Sequence, residues 1–305
     1  MTSNFDVAVV GGGLTGLTAA HHAALEGADV VHLTGSGIPG GLVSNVGELE
    51  GYPATGPISA IDLAMKMAEE NRRLGVEIVT EDVSRLAVAG KLKALQAGGD
   101  TYAAKAVVAA TGARLRMLEA EGVSRLMDKG VSQCAWCNGG LHRGQEVVVV
   151  GGGDSALQEA LHLARFAARV TIVTRGDALR ARGSLIDRAA DSDRIAFRWE
   201  TEVTEVLGDD RVAAVRLNDK AAGTTEVFPC QGLFVYIGLA PNSAWLGEHV
   251  DRDDSGHVVT NDALATSLRG LFAAGAVRSG YQGRLTHAVG EATTAAIAAA
   301  RQAIV

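Results

Sequence analysis

The sequence predicts an α/β protein that contains one strand–helix–strand unit twice. The first copy is DVAVVGGGLTGLTAAHHAALEGADVVHLT, residues 6–34, and the second is EVVVVGGGDSALQEALHLARFAARVTIVT, residues 146–174. In each copy an apolar, β-rich run leads through a glycine turn into an alanine-rich segment with helical spacing, and a second apolar run follows. The chain has 305 residues, which is long enough for two domains of about 100–200 residues each.

The first glycine turn has the spacing of a dinucleotide-binding loop. Gly11, Gly13 and Gly16 fit the pattern G-x-G-x-x-G. The first glycine permits the tight turn, the second lets the backbone approach a pyrophosphate, and the third lets the helix pack on its strand. The acidic ribose ligand expected about 20 residues further on is absent, because Thr34 and Gly35 follow the second strand. This copy still predicts a Rossmann-like domain, since the motif follows a strand and opens a helix.

The second glycine turn predicts a site for NADP. Gly151 and Gly153 are followed by Ala156 in the third position, where alanine also lets the helix pack. Arg175 and Arg180 come directly after the second strand, and arginine at this place suits the 2′-phosphate of NADP. The alternative is that both arginines are ordinary solvated surface residues.

Periodicity predicts the remaining elements. The predicted helices cover residues 61–75 and 286–305. Strands are predicted at residues 76–80, 103–112, 226–238 and 270–277, with a meander formed by residues 197–203 and 211–217.

Composition excludes several partners. The net charge is −7 without a basic block, which argues against nucleic acid and against an anionic membrane. The N-terminal residues lack the basic and apolar regions of a secretory signal. No apolar run reaches the ~20 residues of a membrane span. We therefore expect a soluble cytoplasmic protein.

The segment VSQCAWCNGG, residues 131–140, holds two of the three cysteines, Cys134 and Cys137. Such a pair could bind a metal, lie inert in the core, or cycle between dithiol and disulfide. A structural zinc site needs about four ligands, and the sequence has no second C-x-x-C and no paired histidines, so no metal is predicted. Cys230 lies alone in a predicted strand and is expected to be buried. The redox dithiol is the preferred interpretation, and its thiolate would be the nucleophile.

Seven motifs occur in order along nearly the whole chain. They are VVGGGLTGLTAA; PGGLVSNVGELEGYP (39–53); AATGA (109–113); SQCAWCNG; VVGGGDSALQEALHLARFA; FVYIGLAPN (234–242); and FAAGAV (272–277). In sequence and order, these motifs resemble those of the low-molecular-weight thioredoxin reductases among the flavoprotein disulfide reductases.

The resemblance implies two Rossmann-like dinucleotide-binding domains of the three-layer ββα type, the second inserted in the first. An FAD domain would comprise residues 1–113 and 244–305, and an NAD(P)H domain that carries the cysteines would comprise residues 114–243. The family also implies a homodimer. The residues implied for FAD are Gly11, Gly13, Gly16, Gly40, Gly41, Asn45, Gly112, Gly275 and Ala276, and those for NADP are Gly151, Gly153, Asp154, Ser155, Arg175 and Arg180.

By the same resemblance, electrons pass from NADPH or NADH through FAD to the cysteine pair. Cys137 would receive them from the flavin. Cys134 would attack the disulfide of a thioredoxin-like protein or of a small molecule.

Three positions depart from the family. Asn138 stands where these reductases carry an aspartate that protonates the leaving thiolate, and an amide cannot exchange a proton near neutral pH. His287 is the candidate substitute, although a packing role at a helix start is the alternative. Ala276 replaces the family's ribityl-binding aspartate after Gly275.

The third departure concerns the NADP phosphate, where Gly176 replaces an arginine of the family's H-R-R-x-x-x-R pattern. At about 1.5–3 kcal/mol per hydrogen bond to a charged group, this loss would weaken the preference for NADPH by about one to two powers of ten.

Three functions therefore remain open. The first is an NAD(P)H-dependent disulfide reductase, which the intact second glycine motif favours. The second is a flavin-dependent dithiol oxidase that passes electrons to oxygen, which the lost acid and the lost arginine favour, although relatives of that kind tend to have histidine after the second cysteine. The third is a non-enzymatic nucleotide-binding protein, against which the cysteine pair argues. Another electron donor, such as ferredoxin, is a further alternative to NAD(P)H.

Overall fold

The computed structural model describes residues 2–49, 52 and 58–304. Two compact units divide the chain: unit 1 comprises residues 1–114 and 240–305, and unit 2 comprises residues 115–239. Unit 2 is thus inserted in unit 1. The main sheet of unit 1 is parallel except for the antiparallel pairs β6–β7 and β7–β8, and that of unit 2 is parallel throughout. The predicted fold class is confirmed.

The secondary structure consists of six helices and nineteen strands within the described residues. The helices are α1 (Leu14–Leu25), α2 (Ala60–Arg73), α3 (Ala135–Asn138), α4 (Asp154–Leu163), α5 (Gly183–Ala190) and α6 (Leu285–Ile304). The strands are β1 (Thr2–Val10), β2 (Val30–Leu33), β3 (Glu48–Leu49), β4 (Ile58–Ser59), β5 (Glu77–Val79), β6 (Val83–Ala89), β7 (Leu92–Ala97), β8 (Asp100–Ala109), β9 (Ala113–Leu115), β10 (Val131–Ser132), β11 (Glu146–Val150), β12 (Arg169–Val173), β13 (Ile195–Arg198), β14 (Thr201–Leu207), β15 (Ala214–Asp219), β16 (Thr224–Pro229), β17 (Gly232–Val235), β18 (Leu239–Pro241) and β19 (Leu271–Ala273).

The sheet of unit 1 has the strand order β5-β2-β1-β8-β7-β6, and β19 also pairs with β8. Both faces of β1 are buried: Val7 and Val9 pack with α1 and α6, whereas Ala8 and Val10 belong to the core on the other face. A strand buried on both faces must be apolar throughout, which explains the run VAVV. The alanine-rich faces of α1 and α6 meet in the same core, where small side chains let helices pack closely on the sheet.

Unit 2 has three layers. Its central sheet has the order β10-β17-β11-β12-β13, and all of its pairs are parallel. The helices α4 and α5 cover one face, and the antiparallel sheet β14-β15-β16 covers the other. This is the ββα arrangement that the resemblance implied.

Three predicted strands were wrong in extent. Of residues 270–277, only β19 is a strand, and Gly275–Val277 form a 3-10 helix. Residues 226–238 form two strands in different sheets, because β16 ends at Pro229 and β17 begins at Gly232. Proline has no N–H to donate to a ladder, and Cys230 lies fully buried in the turn between the strands, so its predicted burial is confirmed. Residues 197–203 likewise span the end of β13 and the start of β14.

Within residues 2–49, 52 and 58–304, no helix is both long and apolar enough to cross a membrane.

Candidate active site

The two cysteines of the C-x-x-C motif lie on one helical turn in unit 2. Cys134 is the N-cap of α3 and Cys137 lies within that helix. They form a disulfide with a Cα–Cα distance of 5.3 Å. The Cys137 N–H donates to the Cys134 sulfur at 3.1 Å, and a donor at this position would stabilise a thiolate on Cys134 after reduction.

Asn138 supports the backbone of this turn and does not act as an acid. Its Nδ2 atom donates to the Ser132 hydroxyl at 3.3 Å, and the same hydroxyl accepts from the Cys134 N–H at 3.1 Å. Ser132 is 4% exposed. The residue in the position of the family's aspartate is therefore part of a hydrogen-bonded brace around the dithiol.

Behind the turn lies a polar cluster that the sequence analysis missed. The Ala135 N–H donates to the Tyr236 hydroxyl at 3.0 Å, and Tyr236 in turn hydrogen-bonds the carboxyl group of Glu159. Trp136 stacks on His162 with 3.9 Å between the ring centroids. We call Glu159, Tyr236 and the Ala135 N–H the buried relay.

A signal for Glu159 was present in the sequence. Ala156, Glu159, Ala160 and Leu163 have the i, i+3, i+4, i+7 spacing of a buried helix face, and all four are buried on α4. An acidic residue on such a face predicts a perturbed or functional carboxyl group.

The electrostatics of the cluster follow from its burial. Burial raises the pKa of Glu159 to about 7, against the opposing effect of hydrogen bonds from the Ala135 N–H and the Tyr236 hydroxyl. Burial likewise lowers the pKa of His142 and of His162, so these imidazoles are neutral at neutral pH. The pKa of the Cys230 thiol is raised by burial to about 12, which leaves this thiol unreactive.

The glycine turn of unit 1 forms a cradle open to a ligand. Gly11 has φ +121°, and a Cβ there would lie 2.3 Å from the Ala110 carbonyl oxygen. A Cβ on Gly16 would lie 1.8 Å from the Gly11 oxygen, whereas one on Gly13 would meet only the Gly40 oxygen at 3.7 Å. Gly13 is the N-cap of α1 and provides no side-chain cap, so the helix N–H groups can receive a pyrophosphate.

A second glycine pair closes this cradle. The Gly40 N–H donates to the Gly12 carbonyl at 2.9 Å, and a Cβ on Gly41 would lie 3.2 Å from the Gly13 Cα. Asn45 ends the short 3-10 helix that Gly41 begins. Gly112 follows β8 with φ +60° and open space around it. The residues present fit FAD.

At Gly275 the nearby carboxylate comes from α6. A Cβ on Gly275 would lie 2.7 Å from the Thr15 Oγ1 atom, so this glycine lies against the first turn of α1. Its N–H donates to Oε2 of Glu291 at 2.7 Å. The carboxylate also pairs with Arg278 and lies 3.3 Å from His287 Nε2. Glu291 was missed by the sequence analysis, and Ala276 adds no polar side chain to this loop.

His287 has its partners within unit 1. It pairs with Glu291 and its ring is parallel to that of Tyr281, with 6.0 Å between centroids. Burial raises the pKa of Tyr281 to about 12. The role of His287 as a proton donor to the dithiol stays a prediction.

The glycine turn of unit 2 is bordered by charged side chains. A Cβ on Gly151 would lie 2.2 Å from the backbone carbonyl oxygen of Tyr236, but one on Gly153 would meet nothing within 4 Å. Asp154 binds Arg182 twice: Oδ1 accepts from its N–H at 2.7 Å, and Oδ2 lies 2.7 Å from its Nε. The open loop above α4 fits a dinucleotide.

The other predicted NADP ligands lie around this loop. The Arg180 N–H donates to the Gly152 carbonyl at 2.8 Å, which brings the segment after β12 back to the glycine turn. The side chains of Ser155, Arg175 and Arg180 are exposed. Arg182 was missed because its pairing with Asp154 links positions 28 residues apart.

Within the described part of the chain, no cluster of three or more His, Cys, Asp or Glu residues could hold a metal ion.

Comparison with known proteins gives the family. The pyridine nucleotide-disulphide oxidoreductase pattern matches residues 5–300. The thioredoxin reductase of Listeria innocua is 38% identical over 289 residues, which cover 94% of this chain and 90% of that protein. The crystal structure of Lactococcus lactis thioredoxin reductase has a TM-score of 0.94 at 36% identity and covers 98% of this chain and 99% of that one. The structure of T. acidophilum thioredoxin reductase has a TM-score of 0.92 at 30% identity, with 99% of each chain covered.

These similarities confirm the resemblance to the low-molecular-weight thioredoxin reductases, and the Cys134–Cys137 pair fits a redox-active dithiol. The chain belongs to the pyridine nucleotide-disulphide oxidoreductase family and is an FAD-dependent enzyme that transfers electrons between NAD(P)H and a disulfide.

Proposed function

We propose that this enzyme reduces the disulfide of a thioredoxin-like protein with electrons from NADPH. The observation that carries the proposal is the Cys134–Cys137 disulfide, whose Cys134 sulfur accepts a hydrogen bond from the Cys137 N–H. The relatives named above are thioredoxin reductases, which supports a protein disulfide as substrate.

We assign FAD to residues 1–113 with 244–305, and NAD(P)H to residues 114–243. The backbone cradle at Gly13 and Gly40 supports the first assignment, since it offers N–H groups and no charged side chain. The exposed guanidinium groups of Arg175 and Arg180 support the second, because they suit a 2′-phosphate. FAD, when bound, supplies the two-electron step between pyridine nucleotide and disulfide.

The thiol chemistry uses the chain's own residues. The Cys134 thiolate attacks one sulfur of the substrate disulfide, forms a mixed disulfide and releases one substrate thiolate. Cys137 then gives up its proton, and its thiolate attacks Cys134 in the mixed disulfide, which restores the Cys134–Cys137 bond and releases the second thiolate. Two electrons leave the dithiol and reduce one substrate disulfide.

We also propose that the protein is a cytoplasmic homodimer. The net charge of −7 favours a water-soluble protein. The reducing cytoplasm suits an enzyme whose product is a dithiol.

The test is a titration of the FAD-loaded protein with NADPH and then with oxidised thioredoxin, without oxygen. The visible absorbance of the flavin is recorded at each step. NADPH should bleach the flavin of the native enzyme, and oxidised thioredoxin should then restore the absorbance. Cys137→Ser should still bleach but should not recover with thioredoxin, whereas Cys230→Ser, which removes the buried thiol, should behave as the native enzyme. Failure of NADPH to bleach, together with bleaching by a dithiol and recovery in air, would establish the dithiol oxidase instead.

A further inference from the structure

A buried carboxyl group lies directly behind the redox turn and has no role in the steps above. Glu159, on α4, is 7% exposed. Among the residues that the structure describes, its Oε2 atom finds no hydrogen-bond partner. A buried polar atom without a partner is costly, so an acid in this place requires an explanation.

The buried relay connects this carboxyl group to the dithiol. Glu159 hydrogen-bonds the Tyr236 hydroxyl, and that hydroxyl accepts from the Ala135 N–H at 3.0 Å. Ala135 is fully buried and directly follows Cys134, the N-cap of the redox turn. A change at Glu159 therefore reaches the backbone of this turn through two hydrogen bonds.

The surroundings of Glu159 let it titrate near neutral pH. Burial raises its pKa to about 7. No cation among the described residues pairs with this carboxyl group, and burial lowers the pKa of His162 on the same helix. The ionisable groups on α4 and on the elements packed against it, besides the cysteines and Tyr236, are His142, Glu146, Asp154, His162, Arg169, Asp187 and Arg188.

We propose that Glu159 is a positioning residue that couples proton uptake to reduction of the Cys134–Cys137 disulfide through the buried relay. Two electrons break the S–S bond, Cys137 takes one proton from solvent, and Cys134 keeps a thiolate. The negative charge disfavours an ionised carboxylate nearby, so Glu159 takes a second proton. Oxidation returns both protons. The inference rests on the proposed function only in requiring that this dithiol be redox-active.

The coupling supplies a titratable group that Asn138 lacks. In the family the aspartate lies on the redox turn itself, at the position of Asn138. Glu159 instead reaches this turn from α4. The pH dependence of the dithiol equilibrium should therefore include one extra proton over the range just above pH 7.

The test equilibrates the FAD-loaded protein with dithiothreitol redox buffers between pH 6 and 9, without oxygen. Alkylation and mass spectrometry read the Cys134–Cys137 pair directly. For the native protein, the extra proton should make the equilibrium constant for reduction fall by up to a further tenfold for each unit of rise in pH. This corresponds to about 30 mV per pH unit for a two-electron couple. This extra dependence should vanish in Glu159→Gln and weaken in Tyr236→Phe, while the exposed control Glu121→Gln keeps it.

Equal pH profiles for the native protein and Glu159→Gln would overturn the proposal, because a merely structural role would not change their shape. Infrared difference spectra of the native protein give a second measurement that needs no variant. Reduction near pH 7.5 should increase the protonated carboxyl band, and an unchanged band would overturn the proposal. Neither measurement uses NADPH or thioredoxin, so a dithiol that titrates as expected in an enzyme that NADPH cannot reduce would refute the proposed function alone. A pair that no buffer reduces would refute both.

Discussion

The two glycine turns share a sequence pattern but present different surfaces to a ligand. In unit 1 the turn is closed by backbone, since Gly40 donates to Gly12 and lies beside Gly13. In unit 2 it is bordered by the Asp154–Arg182 ion pair and by exposed arginines. The first surface suits a permanent cofactor held by shape, and the second suits an exchangeable one held by charge. Variants in the glycine turn of unit 1 should therefore affect stability and flavin retention. Variants of the charged side chains around the turn of unit 2 should affect the affinity for NAD(P)H.

The largest effect is expected for Glu291→Ala. Arg278, whose side chain is 15% exposed, would lose its carboxylate, and the Gly275 N–H would lose its acceptor. Breaking a buried ion pair in this way costs about 3–5 kcal/mol. The free energy of unfolding and the FAD retained after gel filtration measure it.

The matched control for that variant is Glu226→Ala in unit 2. It breaks the exposed pair with Arg198, which is worth about 0–1 kcal/mol. Equal losses in the two variants would mean that burial does not distinguish the two pairs.

The difference between the two turns can be tested directly at the third position of the motif, which is Gly16 in unit 1 and Ala156 in unit 2. Gly16→Ala should cost about 3 kcal/mol or more, at the upper end for overpacking, because its Cβ would lie 1.8 Å from the Gly11 oxygen. The converse change Ala156→Gly in unit 2 should cost only about 2 kcal/mol, from the penalty for glycine in a helix and the loss of one buried methyl group. Chemical denaturation of both variants measures the difference in the free energy of unfolding, and a tolerated Gly16→Ala would contradict the close approach of residue 16 to the Gly11 oxygen.

The buried acid of unit 2 should appear in the pH dependence of stability. The folded protein holds the Glu159 proton more tightly than the unfolded chain, with a pKa of about 7 against an ordinary value of 4.5. The resulting stabilisation is complete below pH 4.5 and is lost as the pH rises through 7, by up to about 3 kcal/mol. Unfolding of the native protein and of Glu159→Gln from pH 5 to 8 measures it. The variant should gain relative stability as the pH rises, and a constant difference would refute the shift.

The smallest effect is expected at the charged turn. Arg180→Ala should remove one contact to the 2′-phosphate, worth about 1.5–3 kcal/mol, and raise the KM for NADPH while leaving that for NADH and the stability unchanged. The control is Arg188→Ala, which removes an exposed arginine from α5. Steady-state kinetics with both nucleotides measures the two KM values. An equal rise in the KM for NADH would rule out recognition of the 2′-phosphate by Arg180.

Local patterns predicted the parts of the fold that depend on local sequence. The glycine turns, the helices α2 and α6 and the C-x-x-C turn follow from spacing over a few residues. The segment of residues 226–238 was predicted as one strand because both of its halves are apolar, and only the tertiary structure assigns them to different sheets.

The missed site residues depend on contacts between distant segments. Glu291 reaches Gly275 across 16 residues, and Arg182 reaches Asp154 across 28. Neither contact leaves a periodic signal. Glu159 is different, since its position on the buried face of α4 was visible in the sequence, but its link to Ala135 through Tyr236 requires three segments to meet.

The most direct test of the proposed function is the stoichiometry of turnover. With NADPH and oxidised thioredoxin under argon, the native enzyme should oxidise one NADPH for each disulfide reduced, and Cys134→Ser should form no thiols. In air, the native enzyme should consume little oxygen. Oxygen uptake at the expense of added dithiols, without oxidation of NADPH, would contradict the reductase and establish the oxidase.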